Sequence, residues 1–201
     1  MKRISVCLLL VVLSFSTSGF SAELDALTTL CDSCHGPQGV SSDNDVPTIA
    51  GQTSEYISSS LASYQVWGRP CVKSAYRHGD TARPVTTMCE ITEEMAVDEM
   101  EALGRYYAEK EFVTAKQDFD PEKAQAGADL HQSNCESCHP QGGSVSGRGP
   151  ILAGQWASYL KTAIRQSSTG EHLVPPLMER KLTDFSSEEI DSLVNYFASQ
   201  Q

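Results

Sequence analysis

The amino-acid sequence predicts an all-α fold made of two small helical domains in tandem. Three observations carry this expectation. An unusual nine-residue phrase is written twice, CDSCHGPQG from Cys31 and CESCHPQGG from Cys135. Its flanks repeat too: P-T-I-A-G-Q (47–52) and Tyr56 follow the first copy, P-I-L-A-G-Q (150–155) and Tyr159 the second. Apolar residues recur at helical spacing, and strand signals are weak throughout.

Residues 1–22 read as an export leader. Lys2 and Arg3 precede the apolar run VCLLLVVLSF (6–15), which is too short to span a bilayer, and STSGFSA supplies small residues for cleavage between Gly19 and Ala22. The mature chain is therefore expected in the periplasm, without a transmembrane segment. The first domain is placed at 23–108. Leu24, Leu27 and Leu30 lead helically into the first Cys pair. Ala96, Met100, Leu103 and Tyr107 form a stripe on a last helix opened by Thr92 and two glutamates. Residues 109–120, EKEFVTAKQDFD, have no period and read as a linker. The second domain, 121–201, opens on Asp120 as N-cap with Pro121 at the first helical position. It closes on a helix striped by Ile190, Leu193, Val194 and Phe197, with Ser186 and Glu189 spaced as a capping box.

The repeat is unequal. Cys135 lies 104 positions after Cys31, Tyr159 lies 103 after Tyr56, and Tyr196 lies only 90 after Tyr106. The first copy thus holds about thirteen extra residues between Tyr56 and its last helix, and Cys71 and Cys89 fall there.

The chain has 201 residues, with 15 basic against 26 acidic side chains. Loss of Lys2 and Arg3 with the leader leaves 13 basic residues and a net charge of −13. So acidic a protein is not expected to bind nucleic acid, which requires clustered Lys and Arg.

C-x-x-C-H is the attachment signal for a c-type haem. Two thiols one helical turn apart reach both vinyl groups on one porphyrin edge, and the adjacent His projects its ring over the iron. Each copy is about 85 residues, small for a core of side chains alone, and a covalent haem completes it. A structural zinc site would need four ligands per metal, and a thioredoxin-like dithiol a βαβ context; neither is present in the sequence. Cys31, Cys34 and His35, and Cys135, Cys138 and His139, are therefore assigned to two haems. A ligated His usually donates its other ring nitrogen to a fixed acceptor, and the carbonyls of Pro47 and Pro150 stand at the right remove.

Candidates for the sixth iron position are Met178 in VPPLMERKL, with His172 as rival, and Met88 in PVTTMCEIT, with His78 and Cys89 as rivals. Both Met residues are expected in irregular stretches before a last helix. Met95 and Met100 are expected to lie within that helix and pack in the core. For Cys71 and Cys89 two readings stand: a disulfide stapling the extra loop, contributing roughly 3 kcal/mol in the chain-entropy model, or a thiolate on the first iron.

Taken together, C-x-x-C-H, P-x-[IL]-A-G-Q and a Met before an aromatic-ended helix resemble the tandem dihaem class I cytochromes c of the cytochrome c4 group. Within the second half, FVTAKQDFD (112–120), GADLHQSNCESCHPQGG (127–143), ILAGQWASYL (151–160), LMERKL (177–182) and YFASQQ (196–201) are similar to the dihaem subunit of flavocytochrome c, the sulfide dehydrogenase. The segment 66–89 departs from that pattern. The resemblance implies two covalently bound haem c groups, with Met88 and Met178 as axial ligands. It also implies an FAD-bearing flavoprotein partner that oxidises sulfide, the chain itself being an electron-transfer subunit and no enzyme. The chain has no GxGxxG fingerprint, so FAD would belong to the partner. Two alternatives are a free-standing carrier to a terminal oxidase or reductase, and a dihaem enzyme of the thiosulfate dehydrogenase type.

Overall fold

The computed structural model describes residues 18–201; the expected leader, with Cys7, lies for the most part outside the described residues. Helices α1 (Ser18–His35), α2 (Ser54–Gln65), α3 (Met88–Thr92) and α4 (Val97–Ala108) build the first half. Helices α5 (Pro121–Asn134), α6 (Ala157–Ser168), α7 (Pro176–Asp184) and α8 (Ser187–Ser199) build the second. Short 3-10 turns follow each Cys-x-x-Cys-His segment, at Pro37–Gly39 and Gln141–Gly143. Extended pairing among the described residues is confined to one antiparallel bridge, Ser74 with Thr86.

Local chemistry sets the helix starts. Asp120 accepts from the backbone of Glu122 and Lys123, with Pro121 at the first position of α5. Ser186 and Glu189 form a reciprocal capping box on α8. Thr87 and Glu90 do the same for α3. This corrects two expectations. Thr92 does not open the last helix of the first half. Its hydroxyl donates back to Met88 O and closes α3, while α4 begins at Val97 with Glu99 accepting from Ala96 N. Met95 consequently sits in the turn before α4 rather than within it, though it is buried with Met100 as expected. Met88 and Met178 are also not in irregular stretches: Met88 begins α3 and Met178 lies in α7. The capping box and Pro176 at the start of α7 make short helices there.

The two cores repeat as the sequence does. Ile57, Leu61, Leu103 and Tyr107 centre the first; Leu160, Ile164, Leu193 and Phe197, their equivalents, centre the second. In the second half α5 crosses α8 with no room between backbones. A side chain at Gly127 would place its first carbon 2.1 Å from Ser192 O.

The extra residues of the first half form a loop, 66–87, folded back over the first Cys-x-x-Cys-His segment. The Cys71–Cys89 disulfide closes it. Arg77 N and His78 N donate to Ser33 O at 2.7 and 3.0 Å, and the Arg77 guanidinium pairs with Asp43 and Asp45.

The halves meet through reciprocal contacts. Gln155 donates to Thr48 O (2.9 Å) and accepts from Thr48 N (3.0 Å). Its repeat equivalent Gln52 donates to Ile151 O (3.1 Å) and accepts from Ile151 N (2.9 Å). Trp156 Nε1 donates to Ser41 O, Tyr159 N to Asn44 O and Leu173 N to Gly68 O. Residues 109–120 carry no regular element and run along the seam, with Ala115 N on Gly154 O and Gln117 Nε2 on Gln155 O.

Replacing Gln155 by Ala leaves the buried Thr48 N–H and C=O without partners. The expected loss is about 1–3 kcal/mol for each orphaned group, seen in urea unfolding as a weakened or divided transition. The double variant C71A/C89A is expected to lose about 3 kcal/mol in non-reducing denaturant titration, and reductant should then have no further effect on it.

Candidate functional site

Each Cys-x-x-Cys-His segment sits at the end of the first helix of its half. In the first half it lies wholly within α1. In the second, α5 stops at Asn134 and Cys135–His139 continue as turns, with Cys138 N and His139 N donating to Cys135 O. All four cysteines are half-buried free thiols, whereas Cys71 and Cys89 are bonded to each other. Neither of that pair is thus a free thiolate in this structure.

The histidines are oriented alike. His35 Nδ1 lies 2.9 Å from Pro47 O and His139 Nδ1 lies 3.2 Å from Pro150 O. With Nδ1 carrying the proton that each carbonyl accepts, Nε2 keeps its lone pair for a metal. Gly149 runs against the His139 ring, where an added side-chain carbon would come within 2.3 Å. Burial pushes both imidazoles below their ordinary value, so both are neutral, the ligating form, at pH 7.

The thiols are poor thiolates. Burial pushes Cys31 up to about 12 and Cys135 up to about 11, and raises Cys34 as well. A dithiol redox site would need at least one thiol with a lowered value. Among the described residues no three His, Cys, Asp or Glu side chains gather as a metal cluster would require. Half-buried, unpaired thiols beside a neutral, fixed imidazole, in halves with small cores of their own, fit covalent haem attachment.

An acidic residue between the two cysteines supports each segment. Asp32 accepts from Gln38 N at 2.8 Å and from the Tyr107 hydroxyl at 2.8 Å. Its counterpart Glu136 accepts from Gln141 N and Gly142 N at 2.8 and 3.1 Å. Those two backbone donors, helped by His131, hold the Glu136 carboxyl below its ordinary value. Phe197, the counterpart of Tyr107, has no hydroxyl to offer. The buried His131 takes that place, with Nδ1 3.3 Å from Glu136.

Met88 and Cys31 pack against the first core cluster, and Met178 and Cys135 against the second. Of the rivals, His172 and Cys89 are engaged, while His78 lies against the first attachment segment. His172 Nδ1 is 3.1 Å from Ser167 Oγ, beside Arg69. His78 holds Ser33 O through its backbone, and its buried Nε2 has no partner. Three supports escaped the reading of the sequence: the seam glutamines, the acidic caps and Arg69. The first two carried a signal, since Gln52/Gln155 and Asp32/Glu136 occupy equivalent places in both copies.

The fold and these paired sites define a class: two class I cytochrome c domains in tandem. Comparison with known proteins places the chain beside particular members of it. Residues 122–197 match the family described as cytochrome c oxidase, cbb3-type, subunit III. Cytochrome c4 of Azotobacter vinelandii is 24% identical over 196 residues, covering 89% of this chain and 88% of that one. Reduced recombinant cytochrome c4 from Pseudomonas stutzeri superposes with a TM-score of 0.72 at 21% identity, over 90% of this chain and 98% of that one. Thiosulfate dehydrogenase (TsdBA) from Marichromatium purpuratum superposes with a TM-score of 0.66 at 24% identity, over 85% of this chain but 36% of that one. The architecture is thus that of the dihaem cytochromes c4.

Glu136→Gln tests the acidic cap through pH. Because the folded carboxyl is held below its ordinary value of 4.5, its contribution is complete above that pH and lost as pH falls through the folded value. Thermal melts of the wild type and the variant should therefore differ at neutral pH and converge in acid.

Proposed function

We propose that this chain is a periplasmic dihaem c-type electron carrier, with haem domains at 23–108 and 121–201 joined by 109–120 and a leader removed near residue 22. The observation that carries this is the repeated placement of a free thiol pair beside a histidine whose Nδ1 is tied to a proline carbonyl. Cys31 and Cys34, and Cys135 and Cys138, would form the thioether bonds. His35 and His139 would each supply an imidazole nitrogen to an iron, and Met88 and Met178 a thioether sulfur. Bound haem supplies a one-electron iron couple, and thioether sulfur as second axial ligand raises its potential.

The protein residues bind, orient and shield. Pro47 and Pro150 fix the imidazole rings, and Asp32 and Glu136 hold the turns behind the thiols. The seam glutamines hold the two attachment sites in one relation. No helix among the described residues is long and apolar enough to cross a membrane.

The near-complete overlap with cytochrome c4 chains supports a carrier that meets its donor and acceptor by diffusion. A second reading, the haem subunit of a flavocytochrome c taking electrons from an FAD sulfide dehydrogenase subunit, rests on the likeness of residues 112–201 to that family. A thiosulfate dehydrogenase-type enzyme draws support from the TsdBA likeness, but the joined Cys71 and Cys89 leave no thiolate for the first iron.

The experiment is expression in a host competent for haem attachment. Intact mass should show two haem additions, and C31A/C34A or C135A/C138A should each remove one. Met88→Ala and Met178→Ala should each open one iron to cyanide, read as a single-site spectral titration absent from the wild type. Mass without haem would refute the proposal, and tight co-purification with a flavoprotein would select the subunit reading.

A further inference from the structure

Helices α2 and α6 occupy equivalent places in the two copies and end alike. Each has a C-cap, Val66 or Thr169, followed by a residue in the left-handed region. In the second copy that residue is Gly170, with φ 77°; 103 positions earlier, in the first copy, it is Trp67, with φ 59°. Glycine is the usual choice there because it has no Cβ to crowd the backbone. Burial does not offset the strain at Trp67, which is 75% exposed.

The indole has apolar company from both halves. Val66 is 72% exposed and Leu173 is 71% exposed. Leu173 N donates to Gly68 O across the seam, and a side-chain carbon added to Gly68 would meet Leu173 Cδ1 at 3.4 Å. Large apolar side chains left together in water mark a contact surface. It is not a general property of the repeat, because the turn at Gly170 carries no counterpart of the indole.

The charge beside this surface is acidic. Gln65 donates to Thr92 O, Glu93 O and Met95 O, which sets the turn between α3 and α4 against the end of α2. Glu93 and Glu94 in that turn are exposed, and neither is in an ion pair among the described residues. Glu171, after Gly170, shares its charge with Arg165. Arg69, two residues beyond Trp67, is buried against the Tyr64 ring, and Lys73 comes later in the loop, past Cys71. A second copy of this acidic chain, or an anionic membrane, would bring like charge to the surface; a basic protein would not.

We propose that Trp67, with Val66 and Leu173, is a docking surface for a basic redox protein, the indole seating in an apolar depression of the partner while Glu93 and Glu94 meet its cations. Exposed tryptophans dominate such contacts, and the acidic rim sets which partners approach. The inference rests on the carrier reading, which supplies the need for a partner.

The probe is mitochondrial cytochrome c, a strongly basic protein, titrated calorimetrically into the holoprotein and its variants at low ionic strength. Poly-lysine serves as a probe of charge alone. W67G should melt no lower than the wild type, since it restores the residue that the second copy uses, and should weaken cytochrome binding about tenfold. W67F should keep most of the affinity. E93Q/E94Q should weaken it about threefold, a difference that added salt removes. V97S, which deletes another exposed apolar side chain, should leave it unchanged, and poly-lysine should bind W67G and wild type alike.

Equal affinity of W67G and wild type for the cytochrome, or an equal loss toward poly-lysine, overturns the docking surface. So does a lowered melting temperature in W67G, which would make the indole part of the fold. A Trp67-dependent dimer in sedimentation, or Trp67-dependent binding to phosphatidylcholine vesicles, would give the patch to a second copy or a membrane and overturn the basic partner. Mass without haem would overturn the carrier reading; calorimetry reads docking whether or not an electron passes, so the two failures are told apart.

Discussion

In each half, one hydrogen bond between a histidine ring and a proline carbonyl sets the chemistry that the rest of the chain serves. His35 and His139 each directly follow a Cys-x-x-Cys segment, and left alone each ring could rotate freely. Pro47 O and Pro150 O remove that freedom and fix which nitrogen keeps its lone pair. The proline belongs to a turn that ends in Ala-Gly-Gln, and the same turn sends Gln52 or Gln155 across the seam. Site and seam are therefore one mechanical unit. The residue that orients the ring and the residue that joins the halves are five positions apart on a rigid stretch.

The halves solve a shared problem with different side chains. Tyr107 fills the first core and gives its hydroxyl to Asp32. Phe197 fills the second core but leaves Glu136 to the buried His131. Each carboxylate behind the thiols has an aromatic ring beside it, a hydroxyl donor in the first half and a nearby imidazole in the second. The larger asymmetry is the loop at 66–87. It carries Cys71 of the Cys71–Cys89 disulfide, lays Ser33 under two backbone donors and brings a guanidinium to the seam. The largest structural difference between the two halves is concentrated in that segment.

What could be read from the sequence was what repeats or what is local. The all-α tandem architecture follows from the duplicated phrase and its helical stripes. The caps at Asp120 and Ser186 follow from residue type and spacing. The proline carbonyl partners followed from their near-equal distance to each motif. Helix α3 was missed because its signal, Thr87 with Glu90, is only a few residues long, and Thr92 looked like a better start than Ala96. Arg69 could not be foreseen, since what sets it apart is burial among tyrosines without a carboxylate, which single-chain patterns do not reveal. The seam glutamines were visible as repeated letters, yet their role required knowing that Thr48 and Ile151 face them.

That reciprocal clasp has an evolutionary reading. Each half presents both the glutamine and the backbone it would need from a partner, so the surface is self-complementary, as in two-fold symmetric dimers. A single-domain ancestor could have assembled with a second copy of itself through this same face. Joining the copies by twelve residues, 109–120, would make the association intramolecular and independent of protein concentration. Once fused, the two copies no longer had to stay identical, and one of them was free to acquire a stapled loop and a buried charge that a symmetric pair would have had to carry twice.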